Sequence, residues 1–189
     1  MNIEFEATFT PIDKDAMRAR LQFAGAVLIY PEFLMKRVPF KMPELFRGWA
    51  RVREEADKIT MSYKKVTGTG IADQHEIELT INSFDDGVNF LKAIGLVDTA
   101  YQETLREKWK MDDCEITIDT WPGIHPLVEI ESDSEDKVKK AAAKLGFDYS
   151  QAYFGAVAEI YEKELGIPKD IINNHTPLIT FKNFPKSQK

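Results

Sequence analysis

Residues 3–9 read Ile3-Glu4-Phe5-Glu6-Ala7-Thr8-Phe9. Every second side chain is apolar, and Glu4, Glu6 and Thr8 fall between them, which is the period-two pattern of a β-strand with one apolar and one polar face. The pattern recurs along the chain. Phe33–Lys41 is rich in bulky residues, and Trp49–Glu54 brings Arg51 and Arg53 to one face. Lys58–Lys65 sets Thr60, Ser62 and Lys64 opposite Ile59, Met61 and Tyr63, with Lys64 against Lys65 a matter of register, because a slip of one residue exchanges the faces. His75–Ile81 aligns Glu76, Glu78 and Thr80; Gln102–Met111 aligns Thr104, Arg106 and Lys108; Glu115–Thr120 aligns Glu115, Thr117 and Asp119; Leu127–Glu131 aligns Glu129 and Glu131. Gly68-Thr69-Gly70, Asp112-Asp113 and Pro122-Gly123 supply turn chemistry between several of them.

Helical signals lie between and after these strands. Asp13 is placed to cap a helix carrying Met17 and Leu21, Ser83 one carrying Val88, Leu91 and Ile94, and Ser134 one carrying Val138, Ala141 and Leu145. A fourth, capped by Ser150, would carry Tyr153, Val157 and Ile160 and stop at Gly166 and Pro168. Eight strands with a few amphipathic helices make an α+β fold. No linker or low-complexity segment divides the chain, so residues 1–182 read as one domain and 183–189 as a C-terminal tail.

The formal net charge of -6 speaks against a general nucleic-acid binder, which needs a basic surface. The longest apolar run, Phe23 to Tyr30, is far too short to span a bilayer, and no secretory signal opens the chain. Cys114 is alone, which excludes an internal disulfide and fits a reducing, cytoplasmic setting. His75, His125 and His175 lack the spacing of a helical zinc pair, and Gly68-Thr69-Gly70 lacks the lysine of a phosphate-binding loop. The run Lys137–Lys144 reads as a solvated helix face. Trp49, Trp109 and Trp121 suit packing at strand ends or stacking on a base.

Two arrangements satisfy the alternation: an open sheet with one face in water, or a barrel closed with its charged face inward. Charge is sorted by strand. Carboxylates fill the first, fifth, seventh and eighth strands and bases the third, fourth and sixth, with Arg and Glu set two apart more densely than solubility needs. Inward charges must be paired, solvated or liganded. Paired glutamates offer hard oxygen donors suited to Mg²⁺ or Mn²⁺, and arginine matches phosphate oxygens. An enclosed channel holding both kinds of group suits a metal-bound chain of phosphates.

Glu4-Phe5-Glu6 resembles the E-x-E-x-K opening of the CYTH, or triphosphate tunnel metalloenzyme, superfamily. The likeness continues through Arg51-Val52-Arg53, Ser62-Tyr63-Lys64 and Glu76-Ile77-Glu78, resumes at Tyr101-Gln102-Glu103 to Arg106 and Trp109 and at Ile118-Asp119, and closes with Glu129-Ile130-Glu131. One E-x-E is weak evidence; the ordered series is specific. The resemblance implies an eight-stranded antiparallel closed β-barrel with flanking helices and a triphosphate substrate, as in inorganic triphosphatases, thiamine triphosphatases and class IV adenylate cyclases. It implies Glu4, Glu6, Asp119, Glu129 and Glu131 as ligands of Mg²⁺ or Mn²⁺. It implies Arg51, Arg53, Lys64 and Arg106 as phosphate-binding bases, with Lys108 and either Arg37 or Lys36 as additions. Glu76 and Glu78 match the mid-chain acidic strand, with a role in metal or water positioning. Thr8 stands where the signature has lysine, so a binding-only protein stays open beside a triphosphatase and a cyclase. Oligomeric state, a homodimer included, is also open.

Overall fold

The computed structural model describes residues 1–184, so the tail beyond Phe184 lies outside the described residues. Its first strand is split at Glu4 into β1 (Asn2–Ile3) and β2 (Phe5–Phe9). Then follow α1 (Lys14–Phe23), β3 (Val27–Lys41), β4 (Trp49–Glu54), β5 (Ile59–Val66), β6 (Gln74–Ile81), α2 (Phe84–Ala93), β7 (Val97–Asp98), β8 (Tyr101–Met111), β9 (Cys114–Thr120) and β10 (Leu127–Ser132). The remainder is α3 (Glu135–Lys144), α4 (Ala158–Leu165), α5 (Lys169–Asn174) and β11 (Leu178–Ile179).

The sheet runs in the order β1-β6-β5-β4-β3-β8-β9-β10-β2, with β7 and β11 as short additions to β3 and β8. Its two ends are consecutive pieces of one strand. β1 pairs with β6 (Asn2↔Glu76), and β2 pairs with β10 (Glu6↔Glu131, Thr8↔Glu129). A single segment therefore joins both edges and rolls the sheet into a nearly closed antiparallel barrel. The path counts nine strands rather than the expected eight because the break at Glu4 makes two of one. Beyond the break, β2 keeps one free edge, which a one-residue bridge from Thr8 to Tyr153 covers.

Closure sorts the side chains as the alternation requires. Ala7, Phe9, Ile116, Ile118, Val128 and Ile130 turn outward and pack beneath Met17 and Leu21 of α1 and Val138, Ala142 and Leu145 of α3. Burying such side chains is the main favourable term in folding, roughly 25 cal/mol per Å² of apolar surface. Val38, Phe40 and Val52 pack under Phe84 and Leu91 of α2. A third cluster, built from Trp121, Ile124, Leu127, Ile160, Tyr161, Ile172 and Ile179, gathers where β9 leaves the barrel. Outside the barrel wall, Glu107 receives Arg18 of α1 at 2.8 Å and the Trp109 indole at 2.6 Å, which pins the helix by charge as well as by packing.

Asp13 and Ser83 cap their helices as expected, accepting from Ala16 N at 2.8 Å and Asp86 N at 3.2 Å. Ser134 sits at its N-cap position without a side-chain bond. The helix expected from Ser150 does not form as one piece. Tyr153 exchanges backbone hydrogen bonds with Thr8 (3.0 and 2.9 Å), Gly155 takes φ 123°, and α4 starts only at Ala158. Tertiary pairing with the free edge of β2 overrides the helical periodicity there. β3 begins earlier than expected, at Val27, and its register with β8 shifts between Leu28 and Phe33, around Pro31, which has no N–H for a ladder bond.

Candidate triphosphate tunnel

The inward faces enclose a cavity of about 930 Å³. Glu4, Glu6, Arg37, Arg51, Arg53, Lys64, Glu76, Glu78, Arg106, Lys108, Glu129 and Glu131 all line it. The structure thus brings together every site residue expected from the sequence except Asp119, which is fully buried behind the lining and chelates the Arg106 guanidinium with both oxygens. The register settles two open choices. Lys64 faces inward while Lys65 lies outside, and Arg37 faces inward while Lys36 pairs with Glu54 at 3.0 Å on the outer face.

Strand pairing dictates who meets whom. Arg51 reaches Glu76 at 3.3 Å, and Arg53 reaches Glu78 at 3.2 Å. Lys64 contacts Glu4 at 2.7 Å and Glu76 at 3.1 Å. Arg106 holds Glu129 at 2.7 Å as well as Asp119, and Lys108 holds Glu115 at 2.9 Å. Thr8, buried next to Glu129 in the ladder, has its backbone fixed by both β10 and Tyr153.

Among the lining charges of the described residues that are shielded from solvent, three stand outside this network: Arg37, Glu6 and Glu131. Arg37 is buried, lies over the Trp121 ring at 4.4 Å and donates to the Thr104 hydroxyl at 2.8 Å, yet forms no ion pair, and its Nε has no partner. Burial, with Arg51, Arg106 and Arg53 nearby, pushes its pKa well down. Glu6 and Glu131 face each other across the β2–β10 ladder with no base bound to either. Burial, then the charge of Glu129, lifts Glu6 to about 8. Burial likewise raises Glu131. Glu4 is lifted to about 8, chiefly by burial and by a hydrogen bond to Glu76. Glu76 goes the other way: burial would raise it, but the bond from Glu4 and the charges of Lys64 and Arg51 hold it well below the carboxylate range. Glu4 and Glu76 therefore titrate as a coupled pair, with Lys64 in contact with both.

A family model for the CYTH domain matches residues 41–156 of the 189. The chain belongs to the CYTH domain family. No curated protein matches it in sequence. Among solved structures, this CYTH chain is similar to a candidate adenylate cyclase from Vibrio parahaemolyticus at TM-score 0.72 and 12% identity, covering 85% of this chain and 98% of that one. It is similar to a conserved hypothetical protein from Pyrococcus furiosus at TM-score 0.67 and 20% identity, covering 79% and 94%. A candidate adenylyl cyclase from Hippeastrum, described as having a dominant triphosphatase activity, aligns at TM-score 0.55 and 14% identity, covering 90% and 99%. At these identities the likeness establishes the tunnel fold.

Sequence reasoning on this CYTH chain missed Glu55, Lys58 and Gln74 as lining residues and gave Glu115 no site role, while Trp121 was read as packing or stacking on a base. Glu55 was findable. It continues the inward row Arg51, Arg53 by one more step of two, past the end of the apparent strand.

Among the described residues, no three His, Cys, Asp or Glu side chains converge into a preformed metal cluster. The CYTH carboxylates are instead held apart by bases or left facing one another. That repulsion has a measurable sign. Glu4 and Glu6 are raised from 4.5 to about 8, so the stability they contribute is full below the unfolded value and is lost as pH rises through about 8. In chelator, the thermal midpoint is expected to fall between about pH 5 and about pH 8 and to level off above that. A midpoint that stays level across that window would show these carboxylates to be ionised already at neutral pH.

Proposed function

We propose that this CYTH domain hydrolyses an inorganic or small organic triphosphate in a divalent-metal-dependent reaction. The carrying observation is the set of charges left over in the tunnel. An unpaired guanidinium is costly to bury and gains most from an anion; unpaired facing carboxylates gain most from a cation. Arg37 supplies the first, and Glu6 with Glu131 supplies the second. A metal-complexed chain of phosphates satisfies both.

The donor set fits Mg²⁺ or Mn²⁺: Glu4, Glu6, Glu129 and Glu131 offer hard oxygens from adjacent strands, and the pKa of Glu6 rises through burial first and then through the charges of Glu129 and Glu131. When bound, such an ion would withdraw charge from phosphate oxygens. The rest falls to side chains. Arg51, Arg53 and Arg106 exchange carboxylate partners for phosphoryl oxygens, and Lys64 adds a point charge beside Glu4. Such positioning and charge neutralisation is most of what phosphoryl transfer requires. Glu76, held ionised by Lys64 and Arg51, accepts a hydrogen bond from the attacking water, with Glu78 beside it on β6. Asp119, directly behind the lining, orients Arg106.

A phosphate-release screen over tripolyphosphate, ATP, GTP and thiamine triphosphate with Mg²⁺ and Mn²⁺ tests the reading. Release that chelator abolishes is expected. Cyclic AMP formed from ATP would make the protein a cyclase instead. Tight binding without turnover would make it a sensor, the outcome that Thr8 keeps in view.

A further inference from the structure

Glu55 is a carboxylate in the wrong half of the tunnel. It follows β4 directly, its side chain is 2% exposed, and it lies 2.6 Å from Arg53. Its backbone N–H donates to Lys58 O at 2.9 Å, so a tight turn fixes its place. Burial would raise its pKa, but the charges of Arg53, Arg106, Lys58 and Lys108 prevail and hold it low. One internal anion is thus paired with Arg53 and lies in the field of three further bases. Arg53 has no structural need of it, because Glu78 already pairs with Arg53 at 3.2 Å.

Carboxylate and phosphoryl oxygens compete for the same guanidinium hydrogens. Two anions also repel strongly at contact distance in a site of low dielectric. Arg37 and Arg53 lie opposite each other in the β3–β4 ladder, so a phosphate chain held by Arg51 and this pair meets a fixed negative charge one inward position further along β4, at Glu55. Beyond that point Lys58 and Lys108 would suit a further phosphoryl group, but Glu78 and Glu115 hold them at 2.8 and 2.9 Å.

We propose that Glu55 is a length stop: it fills the anion position past Arg53, so the tunnel accepts three phosphoryl groups and rejects a fourth. This rests on the triphosphate reading above and adds a specificity residue to it. Glu55 does no chemistry; it discriminates by repulsion.

Wild type, Glu55→Gln and Glu55→Asp are compared for binding and turnover of pyrophosphate, tripolyphosphate and tetrapolyphosphate. Thermal midpoints are recorded for each protein. In Glu55→Gln the ratio of tetrapolyphosphate to tripolyphosphate affinity is expected to rise about tenfold or more. Glu55→Asp keeps the charge and should keep most of the discrimination. A merely structural glutamate would lower stability or both affinities together and leave the ratio unmoved. An unchanged ratio in a folded Glu55→Gln, with wild type binding tripolyphosphate, overturns the length stop alone. Wild type that binds no polyphosphate overturns the tunnel reading and the stop with it.

Discussion

Glu6→Gln is expected to lower metal-dependent triphosphate turnover by about 10²–10³-fold while leaving the metal-free protein at least as stable as wild type near pH 8. The two effects share one cause. Glu6 is half-buried near Glu129 and Glu131, and its carboxylate is raised to about 8 because the folded tunnel disfavours its charge. Neutral glutamine fits the same volume without that repulsion, so the empty barrel loses nothing. The divalent ion loses a charged oxygen donor, and raising the metal concentration should recover part of the rate. Turnover assays across a Mg²⁺ titration, beside thermal unfolding in chelator, check both halves. Wild-type turnover in Glu6→Gln would remove the acidic ladder from the metal site. Lost turnover with a lowered midpoint would point to a structural role.

Arg37→Met is expected to show the same separation on the anion side. Losing a charge-assisted contact to phosphate should weaken triphosphate binding by about 10–100-fold. Stability in the absence of ligand should hold or rise, because an apolar side chain of similar length replaces a buried cation that has no ion-pair partner. The lost stacking on Trp121 works against that gain. Titration calorimetry with tripolyphosphate measures the first effect and denaturant unfolding the second. By contrast, the same change at Arg106 would strand Asp119 and Glu129 and should destabilise the fold, which is why Arg37 is the cleaner probe.

Both predictions draw on information that the sequence carried unevenly. The faces of the strands were legible: period two placed Arg51, Arg53, Arg106, Glu129 and Glu131 together on one side, and closure then had to bring that side inward. Register was not legible. Whether Lys64 or Lys65 entered the lumen depended on cross-strand hydrogen bonds, which periodicity alone does not fix. Pairing was also hidden. Nothing local distinguishes Asp119, committed to Arg106, from Glu131, committed to no base, since that difference arises from strand neighbours far apart in the chain. The Ser150 region shows propensity losing outright. Tyr153 and Val157 have helical spacing, but the unpaired edge beside Thr8 claims the backbone first. Glu55 went unread because the strand was taken to stop at Glu54, one residue short of its last inward position.

The strand that is broken at Glu4 also governs how the chain can assemble. Its two pieces must find partners around residues 75–76 and 128–132, so the final stitch spans more than half of the polypeptide. Ring-closure entropy and high contact order predict slow, late annealing of this seam. Until then the rims of β6 and β10 present raw hydrogen-bonding edges, and the nascent protein should be most prone to misassociation in that interval, before its charged lumen exists at all.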